Sequence, residues 1–121
     1  MVGLISRFKK KKRQSKLPEI MMEDLYNLDT TLAEVIAHYL EAFREVVSLS
    51  GATPGYFVQK YGDSGWDEWA ATIDKMTYAF SEYAKHSNNC AHPVKNLPQE
   101  EQEKIKEGMH LFIKYFDELN Y

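Results

Sequence analysis

The sequence predicts an all-α fold: a compact bundle of three long helices, preceded by a short N-terminal helix and a basic N-terminal tail. Three observations carry that expectation. Between Trp66 and Ala84 the apolar residues fall at Trp66, Trp69, Ala70, Ile73, Met76, Thr77, Phe80, Tyr83 and Ala84. This is the i, i+3, i+4, i+7 recurrence of a helix with one buried face. Leu32–Val47 and Ile105–Leu119 keep the same spacing. No stretch alternates with period two for long enough to make a strand.

Taken in chain order, the elements begin with a tail. Residues 1–16 hold Arg7, Lys9, Lys10, Lys11, Lys12, Arg13 and Lys16 and no acid, a local charge of +7. The other eight bases face all 18 acids, so the remainder stands at −10. The overall −3 therefore averages two different electrostatic objects. Met1, Leu4, Ile5 and Phe8 share a face if the tail is helical, and they stand beside the KKKKR run. Apolar face plus basic cluster is the two-signal pattern of weak anchoring to anionic lipid. Lys9, Lys10, Lys11, Lys12 and Arg13 are the lipid or polyanion contacts on that reading, because the same charges hold phosphate by counterion release. A frayed, solvated terminus is the reading that uses none of this chemistry. A secretory signal puts its apolar core after the charges, and here the order is reversed.

Residues 17–121 are expected to form one helical domain, a size that buries a modest core. Pro18 stands at N1 of a short helix, PEIMMEDLY, whose Ile20, Met21, Leu25 and Leu28 would pack on the body as a lid. The first long helix starts near Asp29–Thr31, with Thr31 and Glu34 spaced as a capping box. Its core stripe is Leu32, Val35, Ile36, Tyr39, Leu40, Phe43, Val46 and Val47, with Glu34, His38, Glu41 and Glu45 opposite, and Gly51 stops it. Residues 51–65, with Pro54, Gly55, Gly62 and Gly65, read as a turn-rich connection packed down as a flap by Tyr56, Phe57, Val58 and Tyr61. Asp63 or Ser64 caps the second long helix. Asn96 caps the third, with Pro98 in its first turn and Ile105, Met109, Phe112, Phe116 and Leu119 as its stripe. Gly108 inside that stripe costs about 1 kcal/mol of helix propensity against Ala, so close approach of a neighbouring backbone is its expected reason.

Three of these segments resemble a known family. YNLDTTLAEVIAHYLEAF (Tyr26–Phe43), WAATIDKMTYAF (Trp69–Phe80) and KIKEGMHLFIKYFDEL (Lys104–Leu119) are similar to segments of a family of small uncharacterised proteins encoded by bacteriophages. Family members open a helix with Tyr–Leu–Asp and follow with Trp–Ile–Asp–Lys–Met–aromatic–Ala–Phe. They close with Gly–Leu–Phe–Lys–Tyr–Phe and end in Leu–Trp–Asp, where this chain has Leu119–Asn120–Tyr121. The resemblance spans about residues 24–121 and leaves out the basic tail. It implies a phage accessory protein at work in the cytoplasm of an infected bacterium, and it brings no catalytic residue.

Composition narrows the chemistry. With 44% hydrophobic and 13% aromatic residues the chain is too apolar for a disordered one. No apolar run approaches the roughly 20 residues of a membrane span. The lone Cys90 cannot close an internal disulfide, which fits a reducing compartment. His86, Cys90 and His92 are the one cluster of good metal ligands, but their spacing lacks the paired CxxC or HxxxH of structural zinc, so no metal or cofactor is expected. Glu100 and Glu103 match half of the Glu-x-x-Glu plus Glu-x-x-Asp magnesium pattern of all-α nucleotide pyrophosphatases. A small metal-dependent nucleotide hydrolase is the enzyme reading. An acidic body repels phosphate, so sequence-specific nucleic-acid binding is not expected. The surplus of apolar surface points elsewhere. The expectation is a non-catalytic protein that binds a host bacterial protein, or a second copy as a homodimer, through Tyr78, Leu111 and Tyr115. A membrane-surface protein held by residues 1–16, peripheral at the inner membrane, is the alternative.

Overall fold

The computed structural model describes residues 20–87 and 94–121. In chain order the helices are α1 (Met22–Tyr26), α2 (Leu28–Ser50), α3 (Gly55–Tyr61), α4 (Gly65–Ser87) and α5 (Gln99–Lys114). Short 3-10 turns occupy Gly62–Ser64, Val94–Asn96 and Phe116–Glu118, and no strand occurs among the described residues. The basic tail, Pro18, Asn88, Asn89, Cys90, His92 and Pro93 lie outside the described residues. No described helix is long and apolar enough to cross a membrane.

The middle helix organises the rest. Along α4 the spacing read from the sequence buries Trp69, Ala70, Ile73, Met76, Phe80 and Ala84, with Ala79 completing the face. α2 lies along one flank of it and α5 along the other, while α2 and α5 barely meet. Small residues set both approaches. On α2 the side chains turned to α4 include Ala33 and Ala37, with Thr30, Leu40 and Val47 along the same row. Thr30 is satisfied by a hydroxyl–hydroxyl bond to Ser87 at 2.6 Å. On α5 the contact is made at Gly108, where a Cβ would overlap the Lys75 carbonyl and the Ala79 methyl. The expected reason for this glycine holds. Arg44 continues the α2 row as an amphipathic side chain, with Nε bonded to Asp74 Oδ1 at 3.0 Å and its guanidinium over Trp66.

The core stripe of α2 bears out part of the sequence reading, with Leu40 and Val47 buried and Ile36 and Phe43 packed against the core, and corrects the rest. Leu32, Val35 and Tyr39, expected inside, are about half exposed. The inward row is the one about 100° round the helix, a single residue on. α2 is apolar over well over half its circumference, so hydrophobicity did not choose between two faces. The smaller side chains did, because they allow the closer approach to α4.

Element boundaries shift for local reasons. α2 starts at Leu28, before the expected Asp29–Thr31, and Asn27 at its N-cap makes no side-chain cap bond. The Thr31 hydroxyl, assigned to a capping box, donates instead to the Asp24 carbonyl at 3.3 Å and ties α1 to α2. Gly51 does stop α2, in the left-handed region at φ 72°, with its N–H on the Val47 carbonyl. Residues 51–65 contain a helix, α3, held down by Phe57, which is buried beside Trp69 with ring centroids 5.1 Å apart, while Tyr56, Val58 and Tyr61, also expected to pack, are exposed. Asp63 and Ser64 lie inside the 3-10 turn that leads into α4. Asn96 likewise sits in a 3-10 turn, and Pro98 is the N-cap residue of α5. The Gln102 amide binds the entry to α5 by donating to the Lys95 and Leu97 carbonyls. α5 ends at Lys114, so Phe116 leaves the expected stripe and is largely exposed.

Candidate binding surface

Tyr78, Leu111 and Tyr115 are each only partly exposed. Tyr78 is half-buried where exposure was expected, because Glu101 on α5 reaches across and accepts its hydroxyl proton. That bond pushes the Tyr78 hydroxyl up to about 12, with desolvation adding to the shift. It also holds the Glu101 carboxyl below its usual range. Leu111 and Tyr115 lie ten and fourteen positions beyond Glu101, about 15 Å or more along α5. Leu111 packs against the core, and the Tyr115 ring is wedged against Phe57 at 5.2 Å and Trp69 at 6.0 Å. Tyr115 thereby ties the end of α5 to α3 and α4.

The groove beside Tyr78 is bordered by charged residues. Asp74, Lys75, Lys104 and Glu107 line it, and Lys75 Nζ lies 3.4 Å from Glu107 Oε2. Lys75 and Glu107 pair across α4 and α5, whereas Asp74 pairs with Arg44 on α2 and Lys104 with Glu101 on α5. Glu100 and Glu103 are exposed on the first turns of α5, and Glu103 accepts a bond from Gln99 at 3.1 Å. Among the described residues no three His, Cys, Asp or Glu side chains converge as a metal site. His86 Nε2 lies 3.3 Å from Glu82 Oε1, while Cys90 and His92 fall outside the described residues. So do Lys9, Lys10, Lys11, Lys12 and Arg13.

Exposed apolar surface gathers on the opposite side of the molecule. Because α2 and α5 diverge across α4, they leave a groove of about 310 Å³ between them. Val35, Ile36, Tyr39 and Phe43 form one wall, and Phe112 and Leu119 the other. The Phe112 ring sits 5.0 Å from buried Phe80 and 5.4 Å from exposed Phe116, so the core continues outward through it. Tyr121 folds its ring onto Phe43 at 6.3 Å and ends the groove.

No family model, curated protein or solved structure matches the chain.

The second apolar surface is α1. It buries none of its residues. Ile20, Met21, Met22, Leu25 and Tyr26 are between 50% and 77% exposed. The expected lid is therefore not closed: Ile20, Met21, Leu25 and Leu28 face solvent. α1 is held only to the start of α2, which gives it no bundle face to lie on. These residues and the outer row of α2 were missed as a surface. The signal was present, since α2 repeats apolar residues along two rows and a bundle of three helices hides only one.

Proposed function

We propose that this chain is a non-catalytic binding protein of phage type that engages a host bacterial protein through α1. The observation that supports it is the run Ile20 and Met21, just ahead of α1, with Met22, Leu25 and Tyr26 on it, all left at least half exposed, on a helix with no buried side chain. Apolar area exposed to water costs roughly 25 cal/mol per Å², so covering such a row is a ready source of affinity. Methionines adapt to an irregular partner surface, and Tyr26 adds an amphipathic ring of the kind enriched at interfaces. The seven positive charges of residues 1–16 precede this row in sequence and speed encounter with an acidic partner. Work in the cytoplasm of an infected bacterium follows from the family resemblance and belongs to the same reading.

An anionic membrane surface is the second reading, favoured by the same adjacency of basic run and apolar row. Glu19, Glu23 and Asp24 interleave with the apolar residues and disfavour it, because carboxylates there oppose a negative surface. Affinity capture from a bacterial lysate separates the two when run beside flotation with phosphatidylglycerol vesicles. Wild type is expected to retain a host protein that Met22→Glu/Leu25→Glu loses, with neither form floating. Recovery of the same proteins by both forms sinks the assignment to α1, and flotation that depends on residues 1–16 transfers the function to the membrane.

A further inference from the structure

The outer row of α2 is a second surface, separate from α1. Leu28, Leu32, Val35, Tyr39, Ala42, Val46 and Leu49 recur at alternating steps of four and three, with no charged residue among them. That is the seam of a helix that packs along another helix by knobs into holes. The inward row through Ala33, Ala37 and Leu40 already meets α4, so this one has no partner helix among the described residues. Leu28, Leu32, Val35 and Tyr39 are about half exposed, and Leu49 almost wholly so.

We propose that a second copy of this chain covers the row, with the two α2 helices antiparallel across a two-fold axis near Tyr39. In that register Leu28 opposes the partner's Leu49, Leu32 its Val46, Val35 its Ala42, and Tyr39 its own equivalent. Every layer is then apolar on apolar, and the same patch serves both copies, as a closed dimer requires. Each α2 also flanks the groove of the other bundle, walled by Phe43 and Phe112, where a fourth helix would lie. The row together with Phe112, Phe116 and Leu119 offers on the order of 800 Å² per copy, the amount a standard stable interface takes. A monomer ordinarily leaves open only a patch of roughly 300–600 Å². Charge selects the direction. A parallel pair gathers Glu23, Asp24 and Asp29 of both copies at one end with the helix dipoles aligned, whereas an antiparallel pair separates them and opposes the dipoles.

Sedimentation equilibrium of the full chain tests this, with cysteine cross-linking in a Cys90→Ser background. Wild type sediments as a dimer at micromolar concentration, and Leu32→Glu/Tyr39→Glu as a monomer with unchanged helicity by circular dichroism. Leu28→Cys/Leu49→Cys forms a covalent dimer on mild oxidation, and Leu28→Cys alone does not, since its two thiols are then about 30 Å apart along the helices. A wild-type monomer at all concentrations overturns the proposal, as does a dimer indifferent to the glutamates. Rapid cross-linking of Leu28→Cys alone overturns the antiparallel register. Hydrogen-exchange protection of the row in a monomer, lost on deleting residues 1–16 or gained only with an added bacterial protein, assigns it to another occupant and also overturns the proposal. None of these outcomes bears on capture through α1, which uses different residues.

Discussion

Two tyrosine–carboxylate pairs tie the helices together at their surfaces, and each leaves a mark in pH dependence. The Tyr83 hydroxyl donates to Asp29 at 2.5 Å and holds that carboxyl below its ordinary 3.8, against a smaller opposing effect of desolvation. A carboxylate whose folded value is depressed stabilises the fold above its unfolded value, and loses that contribution as pH falls through the folded one. Thermal melts between pH 5 and 2 should therefore fall less steeply for Tyr83→Phe than for wild type. At the alkaline end the sign reverses. Tyr78 is raised to about 12 by its bond to Glu101, so the bond is intact below the ordinary tyrosine value of 10 and is lost as pH rises towards 12. Tyr83 is raised too, by its bond to Asp29, so ultraviolet titration of phenolate should show two late-ionising tyrosines in wild type and one in Tyr78→Phe. Gly108 carries a steric prediction instead. Gly108→Ala drives a methyl into the Lys75 carbonyl and Ala79 and forces α4 and α5 apart. The expected loss is about 1–3 kcal/mol, read as a fall in Tm of roughly 4 °C for each kcal/mol.

Among the helices, α4 and α1 stand at opposite extremes of burial, and substitutions should divide accordingly. Trp69 is 1% exposed and packs its indole against Phe57 and Tyr115. Trp69→Ala should cost about 3–5 kcal/mol by denaturant titration. Leu25→Ala on α1 should stay within about 0.5 kcal/mol of wild type, because α1 buries nothing. A larger loss would restore the lid. The two rows of α2 make a finer comparison. Ala37→Leu overfills the contact with α4 and should cost about 1–3 kcal/mol at any protein concentration. Leu32→Glu should shift stability only as far as it shifts self-association, and so with concentration.

The molecule as a whole is an open arrangement: one central helix, two flanking helices that splay, and a connection, α3, that fills one side only. Filling the other side with a second copy gives an assembly with two α1 arms, so a partner that is itself multimeric would be held by avidity. The long helices, the Gly51 stop and the close approach at Gly108 were legible in the sequence. Periodicity and backbone chemistry are local properties, and a residue's neighbours in the chain are enough to express them. The lid was misread because apolar content at Ile20–Leu25 records a preference for burial without naming what is there to bury it. The part burial of Tyr78, Leu111 and Tyr115 was not legible, because positions on neighbouring helices are covered or left open only through register, and register belongs to packing. A caps-and-stripes reading also placed α2 with its bulkiest row inward. Hydrophobic spacing alone could establish that this chain makes amphipathic helices with more oil than three of them can hide. Which row of α2 turned to the interior, and hence which was left for a partner, was settled only when α4 came alongside, because Ala33 and Ala37 admit a helix closer than Val35 and Tyr39 can.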